Sequence, residues 1–246
     1  MRFMKNIFGR IWAIWGAIWL IFTLLLFFLP FSFCYLLPEP SRSNVSYYLY
    51  KWWMIFFLPP IGVFIKIRGK HNFINGNKYI VTCNHNSLFD ILVSSPQIPG
   101  PNKTIAKKEL ANIPVFGAPY KLGSILVDRK DRNSRANSYK QMRDALQKGF
   151  HMCIYPEGTR NKSTEPIKEF QNGAFKLAVE TQTEIIPALL FGTKNILPND
   201  KTFYLMPGII EFHFLNAVSP GNDAIILKEK VFEIMKTFIL SKHNRQ

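Results

Sequence analysis

The sequence predicts an α/β protein in which a largely parallel sheet is flanked by helices and preceded by an N-terminal membrane-associated helical hairpin. Three observations predict it. Apolar residues make up 48% of the 246-residue chain and aromatics 15%, and much of that excess falls before residue 65. From about Lys66, short β-rich runs alternate with helical stretches, the pattern of strands joined by crossover helices. Polar clusters follow several of the expected strand ends, where open α/β sheets bind their ligands.

The anchor comes first along the chain. Ile11 to Leu37 contains no charged residue and is filled by tryptophan, phenylalanine, isoleucine and leucine. Ile11 to Leu29 is about as long as a bilayer-crossing helix needs to be, and Pro30 is expected to break it. The run is too long for a signal peptide, and no small-residue cleavage site follows it. A second apolar stretch, Trp52 to Ile65, is interrupted by Pro59 and Pro60. Backbone groups freed by proline are costly in lipid unless protein covers them, which favours a hairpin partly buried in one leaflet over two full spans. Arg2, Lys5 and Arg10 precede the first segment and place the N-terminus, and with a returning hairpin the rest of the chain, on the cytoplasmic side. The expected division is therefore an anchoring segment over 1–65 and an α/β domain over 66–246.

Within that domain, strands are expected at Lys78–Asn84, Lys103–Ala106, Ser124–Asp128, His151–Tyr155, Glu184–Phe191 and Ile209–Leu215. Helices are expected at Leu88–Ser95, in part of Lys108–Leu122, and at Asn133–Lys148, Gly173–Thr183 and Asp223–Leu240. Ser134 is a candidate cap for the third of these helices and Gly149 its stop.

The net charge is +15, which calls for an anionic partner. Beside a membrane anchor, lipid headgroups are the simplest one, since basic groups near an anionic bilayer gain about 1 kcal/mol each. A nucleic-acid binder would interleave aromatic and basic residues on an exposed face, whereas the aromatics here concentrate in the anchor. Cys34, Cys83 and Cys153 are too few and too scattered for a disulfide framework or a paired zinc motif.

The stretch "CNHNSLFDIL", Cys83 to Leu92, carries the candidate chemistry. Residues five apart on a helix lie about 140° from one another, so His85 and Asp90 do not share a helical face. With the strand ending near Asn84 and Ser87 capping the next helix, His85 falls in the turn and Asp90 in the first helical turn. The carboxylate then reaches one imidazole nitrogen and leaves the other as a general base. A structural histidine beside a helix-capping aspartate would show the same pattern. No G-x-S-x-G elbow is present, and Cys83 with His85 lacks the second ligand pair a zinc site needs. The other polar stretch, "YPEGTR" from Tyr155 to Arg160, follows a strand. Gly158 permits a tight turn, Thr159 offers a hydroxyl and Arg160 a phosphate-matching fork. Glu157 needs a partner, either Arg160 or a substrate hydroxyl.

Together these stretches resemble the glycerolipid acyltransferases of the 1-acylglycerol-3-phosphate acyltransferase type. The family's N-H-x-S-x-x-D motif is met by Asn84, His85, Ser87 and Asp90, and its E-G-T-R motif by Glu157, Gly158, Thr159 and Arg160. "GSILVDR", Gly123 to Arg129, resembles a looser middle motif, and Ile185, Ile186 and Pro187 a late one. "AKKEL" and "IPVFG", between Ala106 and Gly117, are similar too. The resemblance spans roughly residues 66 to 215. It implies acyl transfer from acyl-CoA or acyl-carrier protein to the sn-2 hydroxyl of lysophosphatidic acid. By the same resemblance His85 is the base and Asp90 its orienting partner. Arg129 and Arg160 hold the acceptor phosphate, Gly158 and Thr159 shape that pocket, and Glu157 positions the glycerol or Arg160. Asn84, Ser87 and Pro187 are expected to support the site. No metal, cofactor or nucleic acid is implied. One departure stands out: where relatives carry lysine in an F-K-x-G stretch, this chain has Phe170, Gln171, Asn172 and Gly173. Lys168 or Lys176 would have to supply that charge. A lyso-aminolipid acceptor therefore stays open, as does a non-catalytic basic protein at the membrane surface.

Overall fold

The structure, a computed structural model, describes residues 2–128 and 130–243, without the side chains of Arg2 and His243. Two helices open the chain: α1, Arg2–Phe33, and α2, Ser41–Phe57. Seven strands follow: β1 Val63–Arg68, β2 Ile80–Cys83, β3 Asn102–Lys107, β4 Ser124–Val127, β5 His151–Ile154, β6 Ile185–Phe191 and β7 Gly208–Phe214. They form one sheet in the order β1-β7-β6-β2-β5-β3-β4. Every adjacent pair is parallel except β6 with β7, so the expectation of a largely parallel sheet holds. The remaining helices are α3 Phe89–Gln97, α4 Gly117–Leu122, α5 Arg132–Gln147, α6 Gly173–Thr181, α7 Thr193–Ile196 and α8 Ala224–His243.

The two-residue period of the strands divides the core. Val81 and Cys83 of β2 face one side, where Trp53, Met54 and Phe57 of α2 join Phe89 and Val93 of α3. Ile80 faces the other, where Met142 and Leu146 of α5, Phe175 and Leu177 of α6 and a stripe of α8 pack. That stripe, Leu227, Val231, Met235 and Ile239, recurs every fourth residue and so lies along one helical face.

The two N-terminal helices are not equivalent: α2 is a layer of the fold. α1 is different. Ile7, Ile11, Ile14, Ile18, Ile21, Leu25 and Leu29 are all exposed. Among the described residues, the segment from Phe3 to Leu36 is the one helix long and apolar enough to cross a membrane, and little of it is buried. Its tryptophans face the other way. Trp12, Trp15 and Trp19 recur at helical spacing, and their indole N–H groups donate to the carbonyls of Ile61, Pro60 and Phe57 at 2.9, 3.0 and 3.2 Å. Carbonyls at a helix end lack intrahelical donors, and Pro59 and Pro60 add no N–H of their own. The indoles take up that role and tie α1 to the end of α2.

Four local expectations need correction. Pro30 does not break α1 but lies inside it. Phe31, fully buried, packs on Tyr50 and Trp53 at ring separations of 4.9 and 6.0 Å, and this packing outweighs the lost hydrogen bond. The apolar run Trp52 to Ile65 is not one helical element; its end, from Val63, is β1, paired along its length with β7. The sheet thus opens before Lys66, because Val63, Ile65 and Ile67 alternate as a half-buried strand requires. Lastly, Asp131 rather than Ser134 caps α5, accepting the amides of Asn133 and Ser134 at 3.0 Å each. Ser134 Oγ instead accepts the Asp128 amide at 2.9 Å.

Candidate active site

The site lies where β2, β5 and β6, side by side, reach their carboxyl ends. β2 stops at Cys83, and Asn84 locks the exit. The Asn84 side chain donates to the Leu190 carbonyl at 3.0 Å and accepts the Leu190 amide at 2.7 Å, in effect extending the ladder to β6. Ser87 donates to the Leu197 carbonyl at 2.7 Å and accepts the Phe89 amide at 3.2 Å, holding the start of α3.

This turn brings His85 and Asp90 together. His85 Nδ1 lies 2.9 Å from Asp90 Oδ2. The same oxygen accepts the amides of Asn86 and Ser87 at 2.6 and 2.7 Å. Asp90 is fully buried and His85 is 9% exposed, so their attraction is little screened by water.

The Glu157–Arg160 turn is bonded to this one. Glu157 Oε1 accepts the backbone amide of His85 at 2.6 Å, and Oε2 the amide of Lys168 at 3.0 Å. Burial pushes the Glu157 carboxyl above its ordinary range, against the pull of those two amides. Its partners are thus backbone groups of two loops, neither Arg160 nor an exposed hydroxyl. Gly158 adopts φ +72°, the left-handed conformation that suits glycine. Its backbone approaches Gln171 so closely that a Cβ there would lie 3.3 Å from Gln171 Cγ. The Arg160 guanidinium donates to Asn199 Oδ1 at 2.9 Å, and Asn199 also donates to the Asn86 carbonyl. Lys168 Nζ donates to Thr159 Oγ1 at 2.9 Å. A cation therefore does stand beside this turn although position 171 is glutamine. Arg129 lies outside the described residues.

Pro187 sits within β6, opposite Thr82 of β2. Its carbonyl accepts the Leu215 amide at 2.8 Å. Proline has no N–H to return that bond, and regular pairing with β7 begins only at the next residue, Ala188.

Sequence reasoning missed Asn199, which lies far along the chain and joins the two motifs, and the contact of the Tyr155 ring with His85, 4.3 Å between centroids. Neither had a local signal, because each acts through a neighbour that only the fold supplies.

A family model described as Acyltransferase matches residues 64–190, which include both motifs and most of the sheet. The chain belongs to the acyltransferase family. Among relatives of this acyltransferase is a 1-acyl-sn-glycerol-3-phosphate acyltransferase from Helicobacter pylori, 37% identical over 174 residues that span 70% of this chain and 73% of that protein. Another from Chlamydomonas reinhardtii is 32% identical over 162 residues. That match takes in 65% of this chain but 48% of the algal protein, so the shared region is about half of the larger relative. The fold is similar to that of the crystal structure of the 1-acyl-sn-glycerophosphate (LPA) acyltransferase PlsC from Thermotoga maritima. The TM-score is 0.78 with 20% identity, covering 100% of this chain and 99% of that one.

Proposed function

We propose that this acyltransferase moves a fatty acyl group from an acyl thioester, acyl-CoA or acyl-carrier protein, to the sn-2 hydroxyl of lysophosphatidic acid, giving phosphatidic acid. The observation that carries the reading is the buried His85–Asp90 pair, joined through Glu157 to a turn that bears Arg160 and has Lys168 beside it. The names of the relatives support the same acceptor.

In this reading His85 keeps a proton on Nδ1, facing Asp90, and presents Nε2 to the acceptor hydroxyl. Nε2 takes the hydroxyl proton as the oxygen attacks the thioester carbonyl. The tetrahedral intermediate collapses by breaking the C–S bond, and the imidazolium returns the proton to the departing sulfur. Asp90 stabilises the imidazolium between these steps and fixes its tautomer. Arg160, with Arg129, binds the acceptor phosphate, and Gly158 and Thr159 shape its pocket. Glu157 serves by holding two loops together. Residues 1–65 keep the site at the bilayer, where the acceptor resides, with the site on the cytoplasmic face. Residues 66–246 carry the chemistry.

The test is acylation by the purified chain of lysophosphatidic acid and of several lyso-aminolipids, each with acyl-CoA and with acyl-carrier protein, products being resolved by mass. Phosphatidic acid as the main product supports the reading; acylation of an aminolipid alone replaces the acceptor. A folded His85→Ala protein should turn over at least about a hundredfold more slowly, and near-normal turnover would discard the mechanism.

A further inference from the structure

The His85 ring is held at its edge by Asp90, and one hydrogen bond leaves a ring free to swing about that bond. A second contact stops the swing. The phenol ring of Tyr155 lies against the imidazole with centroids 4.3 Å apart and planes inclined by 29°. The phenol is itself anchored: its hydroxyl is 2.7 Å from Ser94 Oγ. Ser94 stands four residues after Asp90 on α3, on the same helical face. One helix thus sets both the edge and the face of the imidazole. The backbone of His85 is fastened as well, its amide to Glu157 and its carbonyl to the Asn161 amide at 2.6 Å.

We propose that Tyr155 is a positioning residue for acyl transfer, holding the His85 imidazole in the plane that aims Nε2 at the acceptor and favouring the imidazolium through the face of its ring. The proposal rests on the reading of His85 as base. An aromatic face carries negative charge density and attracts a cation placed over it. Burial keeps the Tyr155 phenol well above its ordinary titration range, so the ring stays neutral while the imidazole charges. Among the described residues, the titratable groups around the pair are Asp90 on α3, Glu157 in the turn after β5, Cys153 on β5 and Cys83 on β2. Burial pushes the Cys83 thiol upward, so it adds no charge.

Two replacements of matched shape isolate the ring's charge distribution: Tyr155→Phe, and Tyr155 replaced by pentafluorophenylalanine, whose face is electron-poor. The imidazole titration of His85, followed by NMR in labelled full-length protein, should have its midpoint about half a pKa unit or more lower in the fluorinated protein. The acid limb of its pH–rate profile should move to lower pH with it, at unchanged KM for both substrates. Coincident titrations in the two folded proteins would overturn the proposal. Tyr155→Leu, which removes the face, should lower kcat about tenfold at unchanged KM, and wild-type kcat there would equally count against it. The titration needs no turnover, so failure of the base reading leaves a different mark: His85→Ala would stay active while the two titrations still differ.

Discussion

One oxygen of Asp90 serves three donors. Oδ2 takes His85 Nδ1 and the amides of Asn86 and Ser87, while the buried Oδ1 has no hydrogen-bond partner among the described residues. The carboxylate is therefore aimed, and its charge is concentrated where the imidazolium of the proposed mechanism forms.

Asp90→Asn tests that charge. An amide oxygen can still accept the two backbone donors, so the turn should survive. The imidazolium loses its counter-charge, and kcat should fall by about a hundredfold or more with a circular dichroism spectrum like that of the wild type. A fall below threefold would mean that the pair is structural.

Arg160→Lys tests the phosphate assignment. Lysine cannot reproduce a planar two-pronged contact. Acceptor kcat/KM should drop about ten- to hundredfold while the donor KM stays nearly constant. A rise in the donor KM alone would assign Arg160 to the donor's phosphates instead.

The indole ladder makes a prediction about stability. Trp12→Phe and Trp19→Phe keep a ring but lose the donors to the Ile61 and Phe57 carbonyls. Leaving such a carbonyl unpaired costs about 1–3 kcal/mol, and each variant should show a lower melting temperature in detergent. Unchanged melting in both would show that the ladder is incidental to the docking of α1.

His151 predicts the response to mild acid. It is buried, its Nδ1 accepts the Tyr79 amide at 2.9 Å, and burial lowers its pKa to about 4. An unfolded histidine titrates at about 6.5. Between those values the unfolded chain binds the proton and the folded chain does not, so stability falls as pH drops from about 6.5 to about 4. A shift of that size corresponds to roughly 3 kcal/mol. Thermal scans across this range should show the decline in the wild type and a flatter profile in His151→Gln; equal slopes would assign the decline to other groups.

Topology is open to labelling. Lys148 is exposed just beyond α5, and Cys34, Cys83 and Cys153 are buried. In sealed vesicles, Lys148→Cys should react with an impermeant reagent from the cytoplasmic side, together with a cysteine placed at the N-terminus. Reaction of Lys148→Cys only from the opposite side would mean that the chain crosses once and does not return.

Local pattern determined much of this protein. Short β-rich runs set between helical stretches located six of the seven strands and most of the helices, because period and chain composition are properties of neighbours in sequence. The spacing of His85 and Asp90 across a strand–helix turn was legible for the same reason: five residues spanning that turn can close a hydrogen bond without help from elsewhere. β1 escaped because its residues continue an apolar run, and only pairing with β7, far along the chain, makes them a strand. Pro30 stayed helical because Phe31 packs on the partner helix. Glu157, Arg160 and Lys168 found their partners across loops: the His85 amide, the Asn199 side chain and the Thr159 hydroxyl. Tertiary structure decided these contacts, since a buried carboxylate or a long cation pairs with whatever donor or acceptor the fold brings within reach, and sequence distance has no bearing on that.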